Sequence, residues 1–156
     1  MMPSRRLLLI LGLVLALSAV PAFAKPNFTG DWKLNISKSD FGGMPSPNSL
    51  TNKVTHDDPK LKVAVKQSGD MGEFEMESNY TTDGKECTNE VFGSPFTSVV
   101  KWDGDTLLID SKGKMGDNDF SISDKWSLSA DGKTFTINRV FKSGMGDTVQ
   151  KMVMEK

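Results

Sequence analysis

The sequence is poor in the residues from which most catalytic centres are built. It has one cysteine, Cys87, and one histidine, His56, in 156 residues. A lone cysteine closes no internal disulfide, and a lone histidine excludes multi-histidine metal sites and any mechanism that needs two imidazoles. Beyond Arg5 and Arg6 there is one arginine, Arg139, and in the whole chain one tyrosine, Tyr80. No nucleophile, base and orienting group recur at an informative spacing, so neither an enzyme nor a cofactor is expected. Past residue 24 no apolar run approaches the roughly 18 residues that would cross a bilayer as a helix.

The one long apolar stretch sits at the start. Arg5 and Arg6 make a basic opening, Leu7 to Leu17 form a short apolar run, and Ala22-Phe23-Ala24 is a small-residue cleavage signal. This is the pattern of an export signal over residues 1–24, with Lys25 the first mature residue. The run is too short to act as a permanent anchor. The expectation is a monomeric mature domain, residues 25–156, in a periplasm or secreted. Without Arg5 and Arg6, 17 basic residues stand against 20 acidic ones, interspersed rather than in blocks. That balance excludes the basic footprint of a nucleic-acid-binding protein.

In the mature segment, apolar residues recur at every second position and hardly anywhere at helical spacing, which reads as all-β. Ten strands are predicted, near 28–36, 50–56, 60–67, 73–82, 85–92, 96–102, 105–112, 118–130, 133–142 and 147–155. In the third, Leu61, Val63 and Val65 share one face while Lys60, Lys62 and Lys66 share the other. In the fourth, Phe74, Met76, Ser78 and Tyr80 oppose Glu73, Glu75 and Glu77. A hairpin between them sets the lysine row against the glutamate row, an exposed pairing that mainly fixes register. In the last strand either the even or the odd positions can face inward.

Asp83-Gly84, Asp103-Gly104 and Asp131-Gly132 each interrupt alternating segments, the short signal for a tight hairpin. A looser loop type alternates with them, at Ser68 to Gly72, Gly113 to Asp117 and Ser143 to Asp147. In a meander, successive turns fall on opposite ends of the sheet. One rim is therefore tight and polar, and holds His56 as turn chemistry. The other is loose and carries Met44, Met71, Met115 and Met145, an adaptable apolar mouth. Ten antiparallel strands can close edge to edge into an up-and-down barrel, which removes exposed edges and leaves room for a small ligand. A two-sheet sandwich shares the alternation and is the alternative.

Phe28-Thr29-Gly30-Asp31-Trp32-Lys33-Leu34, followed by Ser37 and Phe41, resembles the opening of the fatty-acid-binding proteins, and its Gly-x-Trp core resembles that of the lipocalins. The ten-strand count and the closing Met154-Glu155-Lys156 extend this likeness to the calycin barrels loosely over the mature chain. The resemblance implies a barrel that encloses a lipid-like ligand, of a bacterial secreted, lipocalin-like kind. Two departures limit it. The segment Ser37 to Ser49 is too short and proline-bearing for the family's helical lid, and Lys151-Met152-Val153 stands where that family carries a carboxylate-holding arginine and tyrosine.

Arg139 lies on the apolar face of its strand with Phe135, Ile137 and Phe141. A two-residue turn at Asp131-Gly132 places Leu128 opposite Phe135, Trp126 opposite Ile137 and Asp124 opposite Arg139; a one-residue slip would set Leu128 against Thr134. Asp124 and Arg139 are thus expected to point together into the barrel, a guanidinium and carboxylate in bidentate contact. The pair either sets register and caps an indole, Trp32 or Trp126, or orients the acidic head of a bound molecule. Tyr80 and Cys87 should face each other across Asp83-Gly84, with Cys87 a small core residue. The candidate ligand-binding set is Arg139, Asp124, Trp32, Trp126, Tyr80, Phe141, Met71, Met115 and Met145, with no metal. The function this implies is a non-enzymatic, exported binding protein for a small apolar or amphipathic molecule. The alternative is a secreted barrel-type interaction or inhibitor protein whose loops dock a protein partner.

Overall fold

The computed structural model describes residues 24–70 and 72–156, so the segment read as an export signal, through Phe23, and the candidate Met71 lie outside the described residues. The chain forms ten antiparallel strands: β1 (Gly30–Leu34), β2 (Ser49–Asp57), β3 (Lys60–Gly69), β4 (Gly72–Thr81), β5 (Asp83–Val91), β6 (Ser94–Asp103), β7 (Thr106–Met115), β8 (Asn118–Leu128), β9 (Thr134–Ser143) and β10 (Gly146–Glu155). They follow one another in a single ten-stranded sheet, β4-β3-β2-β1-β10-β9-β8-β7-β6-β5, so first and last strands lie side by side and the sheet curls into a nearly closed barrel. Period-2 sequence is what produces this. On β3, Leu61 and Val63 are buried while Lys60 and Lys62 are exposed, and on β9 Phe135 and Ile137 point inward. The lysine and glutamate rows meet as expected, with Lys62 Nζ 2.9 Å from Glu77 and Lys66 Nζ 2.7 Å from Glu75. On β10 the even positions Met152 and Met154 face in.

The closure between β1 and β10 is short, Lys33 with Glu155 and Leu34 with Met154. The connector after β1 then continues it. A 3-10 turn at Ile36–Lys38 leads to Asp40, which exchanges two backbone hydrogen bonds with Lys151, both 2.7 Å. Gly42, at φ +62°, lies so close to β10 that a Cβ would stand 2.2 Å from the Val149 carbonyl oxygen, so only glycine fits. Among the described residues there is no α-helix, and the connector lies along the wall rather than over the barrel's end.

Three expectations are corrected here. First, β4 and β5 share no ladder, although Asp83-Gly84 reads as a hairpin turn. Thr82 is drawn away to the β2–β3 turn instead: its N–H donates to the Pro59 carbonyl at 2.8 Å and its hydroxyl donates to Asp58. The resulting gap is crossed by side chains. Asn89 Nδ2 donates to the Asn79 carbonyl at 3.0 Å and Asn89 Oδ1 accepts from the Asn79 N–H at 2.7 Å. Tyr80 and Cys87 are therefore not a cross-strand pair; Cys87 pairs with Ser98 on β6, and its thiol donates to the Ser98 carbonyl at 3.4 Å.

Second, the glycine-methionine loops are not loose. Met115 pairs with Asn118 and Ser143 with Gly146, so these connections are two-residue turns, and Gly69 pairs with Gly72 across the β3–β4 connection. Gly116, at φ +61°, supplies the left-handed backbone that such a turn needs. The Asp131-Gly132 connection is the wider one, with its ladder ending at Leu128 and Phe135. Third, His56 is a buried core residue rather than turn chemistry. Its ring stacks against Phe28 and Trp102, with centroids 6.0 and 5.8 Å away.

Phe28 is the centre of the barrel's closed end. It is fully buried, with the rings of His56, Trp102, Trp126 and Phe135 around it at 5.2–6.2 Å. Trp32 joins through Phe135 at 5.5 Å, and its indole N–H donates to the Phe28 carbonyl at 2.9 Å. The cation over the Trp32 ring is Lys156, 4.8 Å from the centroid, which corrects the expectation that Arg139 would cap an indole there. These rings bury large apolar area, and the polar edges of Trp32, Trp102 and His56 are hydrogen-bonded, so this end is solid.

Candidate functional site

Above the aromatic plug the barrel is hollow. The cavity measures about 490 Å³, within the range of small-molecule sites, and its wall is mainly apolar. Trp126, Ile137 and Met152 border it on the side of the plug, and Phe96, Phe120 and Phe141 line one flank with centroids 5.2 and 5.9 Å apart. Phe74 and Phe92 meet edge to face at 5.6 Å where β4 and β5 part. The aromatic residues expected inside have divided into two groups, one packed solid and one framing space.

The register on β8 and β9 is the one the Asp131-Gly132 turn predicts: Leu128 with Phe135, Trp126 with Ile137, Asp124 with Arg139. Arg139 Nε donates to Asp124 Oδ1 and Nη2 donates to Oδ2, both at 2.7 Å, a bidentate contact. The Asp124 side chain is 7% exposed and that of Arg139 30%. Burial opposes the Arg139 charge, but the adjacent carboxylate outweighs it and holds the guanidinium above its ordinary pKa. Tyr80 shares the wall with this pair. Burial, assisted by the Asp124 charge, pushes its phenol up and keeps it protonated, against a lowering contribution from Ser78.

Of the residues the sequence nominates, Arg139, Asp124, Trp126, Tyr80, Phe141 and Met115 line this cavity. Trp32 does not; it is sealed in the plug at 1% exposure. Met145 does not either. It stands 98% exposed at the tip of the β9–β10 turn, because the two-residue turn projects its side chain away from the lumen. Met71 is outside the described residues. Phe120 and Phe92 were missed. Phe120 shares the even parity of Asp124 and Trp126 on β8 and was findable by that signal. Phe92 sits in a turn, at φ 51°, where alternation has ended.

Two polar atoms on residues that border the cavity, Asn52 Oδ1 and Trp126 Nε1, are buried without a hydrogen-bond partner. At the opposite end of the barrel the polar groups are connected. His56 Nδ1 accepts from the Phe28 N–H at 3.3 Å, so its ring proton lies on Nε2, 3.3 Å from Asp58 Oδ1. The same carboxylate accepts from Thr82 and from Trp102 Nε1. The Thr82 hydrogen bond is the main cause that lowers the Asp58 pKa, with smaller help from Trp102 and His56 against some desolvation. Among the described residues, no group of three His, Cys, Asp or Glu side chains is placed to hold a metal.

No family model matches the sequence, and no curated protein sequence does so either. The fold does have solved counterparts. Zebrafish ileal bile acid-binding protein complexed with cholic acid superposes with a TM-score of 0.57 at 15% identity, over 83% of this chain and 98% of that one. A secretory abundant heat soluble protein from Ramazzottius varieornatus gives 0.58 at 14% identity, over 85% and 97%. The Schistosoma mansoni fatty acid binding protein in complex with arachidonic acid gives 0.52 at 15%, over 80% and 93%. At these identities the likeness is one of fold. The chain folds as a ten-stranded up-and-down barrel, the fold it shares with these bile acid-binding and fatty acid binding proteins.

Proposed function

We propose that this protein is a non-enzymatic binding protein that holds one small apolar or amphipathic molecule inside its barrel, and that it works outside the cytoplasm after loss of residues 1–24. The observation that carries the reading is the cavity itself: about 490 Å³ of space with a largely apolar wall, beside a fully packed plug. A chain folding only to present loops to a protein partner has no need to leave its lumen unfilled, since empty apolar space forfeits packing energy. Bile acid and fatty acid in two structural neighbours support the same role. Arg139, Asp124, Trp126, Tyr80, Phe141 and Met115 are the contacts proposed for the ligand.

The test uses Trp126 as a built-in reporter. Native mass spectrometry of the protein as purified should show bound apolar material, and lipid titration should change tryptophan emission to a one-to-one end point. Trp126→Phe should remove most of that change while the protein still binds. A protein that co-purifies with nothing, and whose emission no lipid alters, would overturn the carrier role. Intact mass of the exported protein should begin at Lys25.

A further inference from the structure

Resting on the binding role above, we propose that the lumen selects uncharged ligands, apolar molecules ending in a hydroxyl, ester or carbonyl oxygen, and discriminates against carboxylates. Lys114, Asp124 and Arg139 are the charged residues of the cavity wall among the described residues. Lys114 is exposed and lies 3.4 Å from Asp119 across the β7–β8 turn, at the mouth rather than in the depth of the lumen. The interior therefore carries one cation and one anion, already joined by two 2.7 Å hydrogen bonds.

That pairing decides what Arg139 can offer. A guanidinium that faced the lumen alone would be the natural partner of a carboxylate head. Here its Nε and Nη2 are committed to Asp124, whose side chain is buried and takes one of these hydrogen bonds on each carboxylate oxygen. A second carboxylate drawn to the same guanidinium would be dehydrated and set against the Asp124 charge, and both effects oppose binding. A neutral oxygen meets neither obstacle. Nη1 of Arg139 donates to no protein group among the described residues, and the neighbouring Tyr80 phenol stays protonated. The remaining polar lining, Asn52, Gln67, Ser78, Ser94, Ser111 and the Trp126 indole, is uncharged as well. Asp124 is in this view the specificity-determining residue, because it cancels the charge that an acid would seek.

The experiment compares ligands of one chain length by calorimetric titration of the mature protein: dodecanoate, 1-dodecanol and methyl dodecanoate. At pH 8, with the acid ionised, the alcohol and ester should bind at least tenfold more tightly than dodecanoate. Lowering the pH through the carboxyl range, near 4–5, should raise the affinity for the acid and leave the alcohol unchanged. Asp124→Asn, with folding checked by circular dichroism, should shift the acid-to-alcohol ratio at least tenfold toward the acid. If that variant does not fold, the wild-type comparison still decides. Dodecanoate binding at pH 8 as tightly as the alcohol would overturn the inference and leave the carrier role intact. Binding of none of the three would overturn the carrier role itself.

Discussion

The two ends of the barrel are built from the same kind of residue and behave oppositely. At one, Phe28 is completely buried amid His56, Trp102, Trp126 and Phe135. At the other, Phe92 is 75% exposed, touching Phe74 beside an unpaired strand edge. Aromatic content alone decides neither stability nor binding. What differs is whether each ring is enclosed on all sides and whether the polar edges nearby are connected. The plug holds the barrel shut, and the opposite rim leaves the lumen accessible.

The contrast breaks first at Phe28. Phe28→Ala removes the ring that four others pack against and should cost about 3–5 kcal/mol in urea unfolding, whereas Phe92→Ala should stay within about 0.5 kcal/mol. Equal costs would mean that the rim is core and the division into plug and mouth is wrong. A smaller effect concerns the polar side of the plug. Because the folded-state pKa of Asp58 is lowered, its contribution is present above the unfolded value, near 3.9, and is lost as pH falls through the lower folded value. Thr82→Val should cost about 1 kcal/mol at pH 7, a figure discounted because the carboxylate is half exposed, and should flatten the loss of stability between about pH 5 and pH 2. An unchanged acid limb would remove Asp58 from the account of that end. The smallest effect sharpens the open end. Met145→Ala should change neither stability nor ligand affinity, while Met115→Ala should weaken lipid binding several-fold by trimming the cavity wall.

Most of the fold was legible because period-2 alternation reports directly on which face is wet, as on β3 and β4. The Asp124–Arg139 pair was legible for a related reason: a hairpin turn sets register, and apolar partners check it. What failed lay beyond nearest neighbours. A turn signal such as Asp83-Gly84 describes local backbone, while the pairing around it was decided by Thr82 reaching Asp58 and Pro59. Likewise His56 is buried by Phe28, whose place nothing near residue 56 reveals. Trp32 and Trp126 have the same inward parity and both belong to the plug, yet only Trp126 also borders the cavity. Alternation distinguishes inside from outside and carries no information about depth along the barrel axis.

The seam between β4 and β5 gives the container some tolerance. At every other junction, widening the barrel would break backbone ladder hydrogen bonds; here it needs only the Asn79–Asn89 clasp and the Phe74–Phe92 contact to yield. Under the proposed binding role, guests of different girth would be admitted by parting one stitched edge, with the other nine strand junctions left untouched.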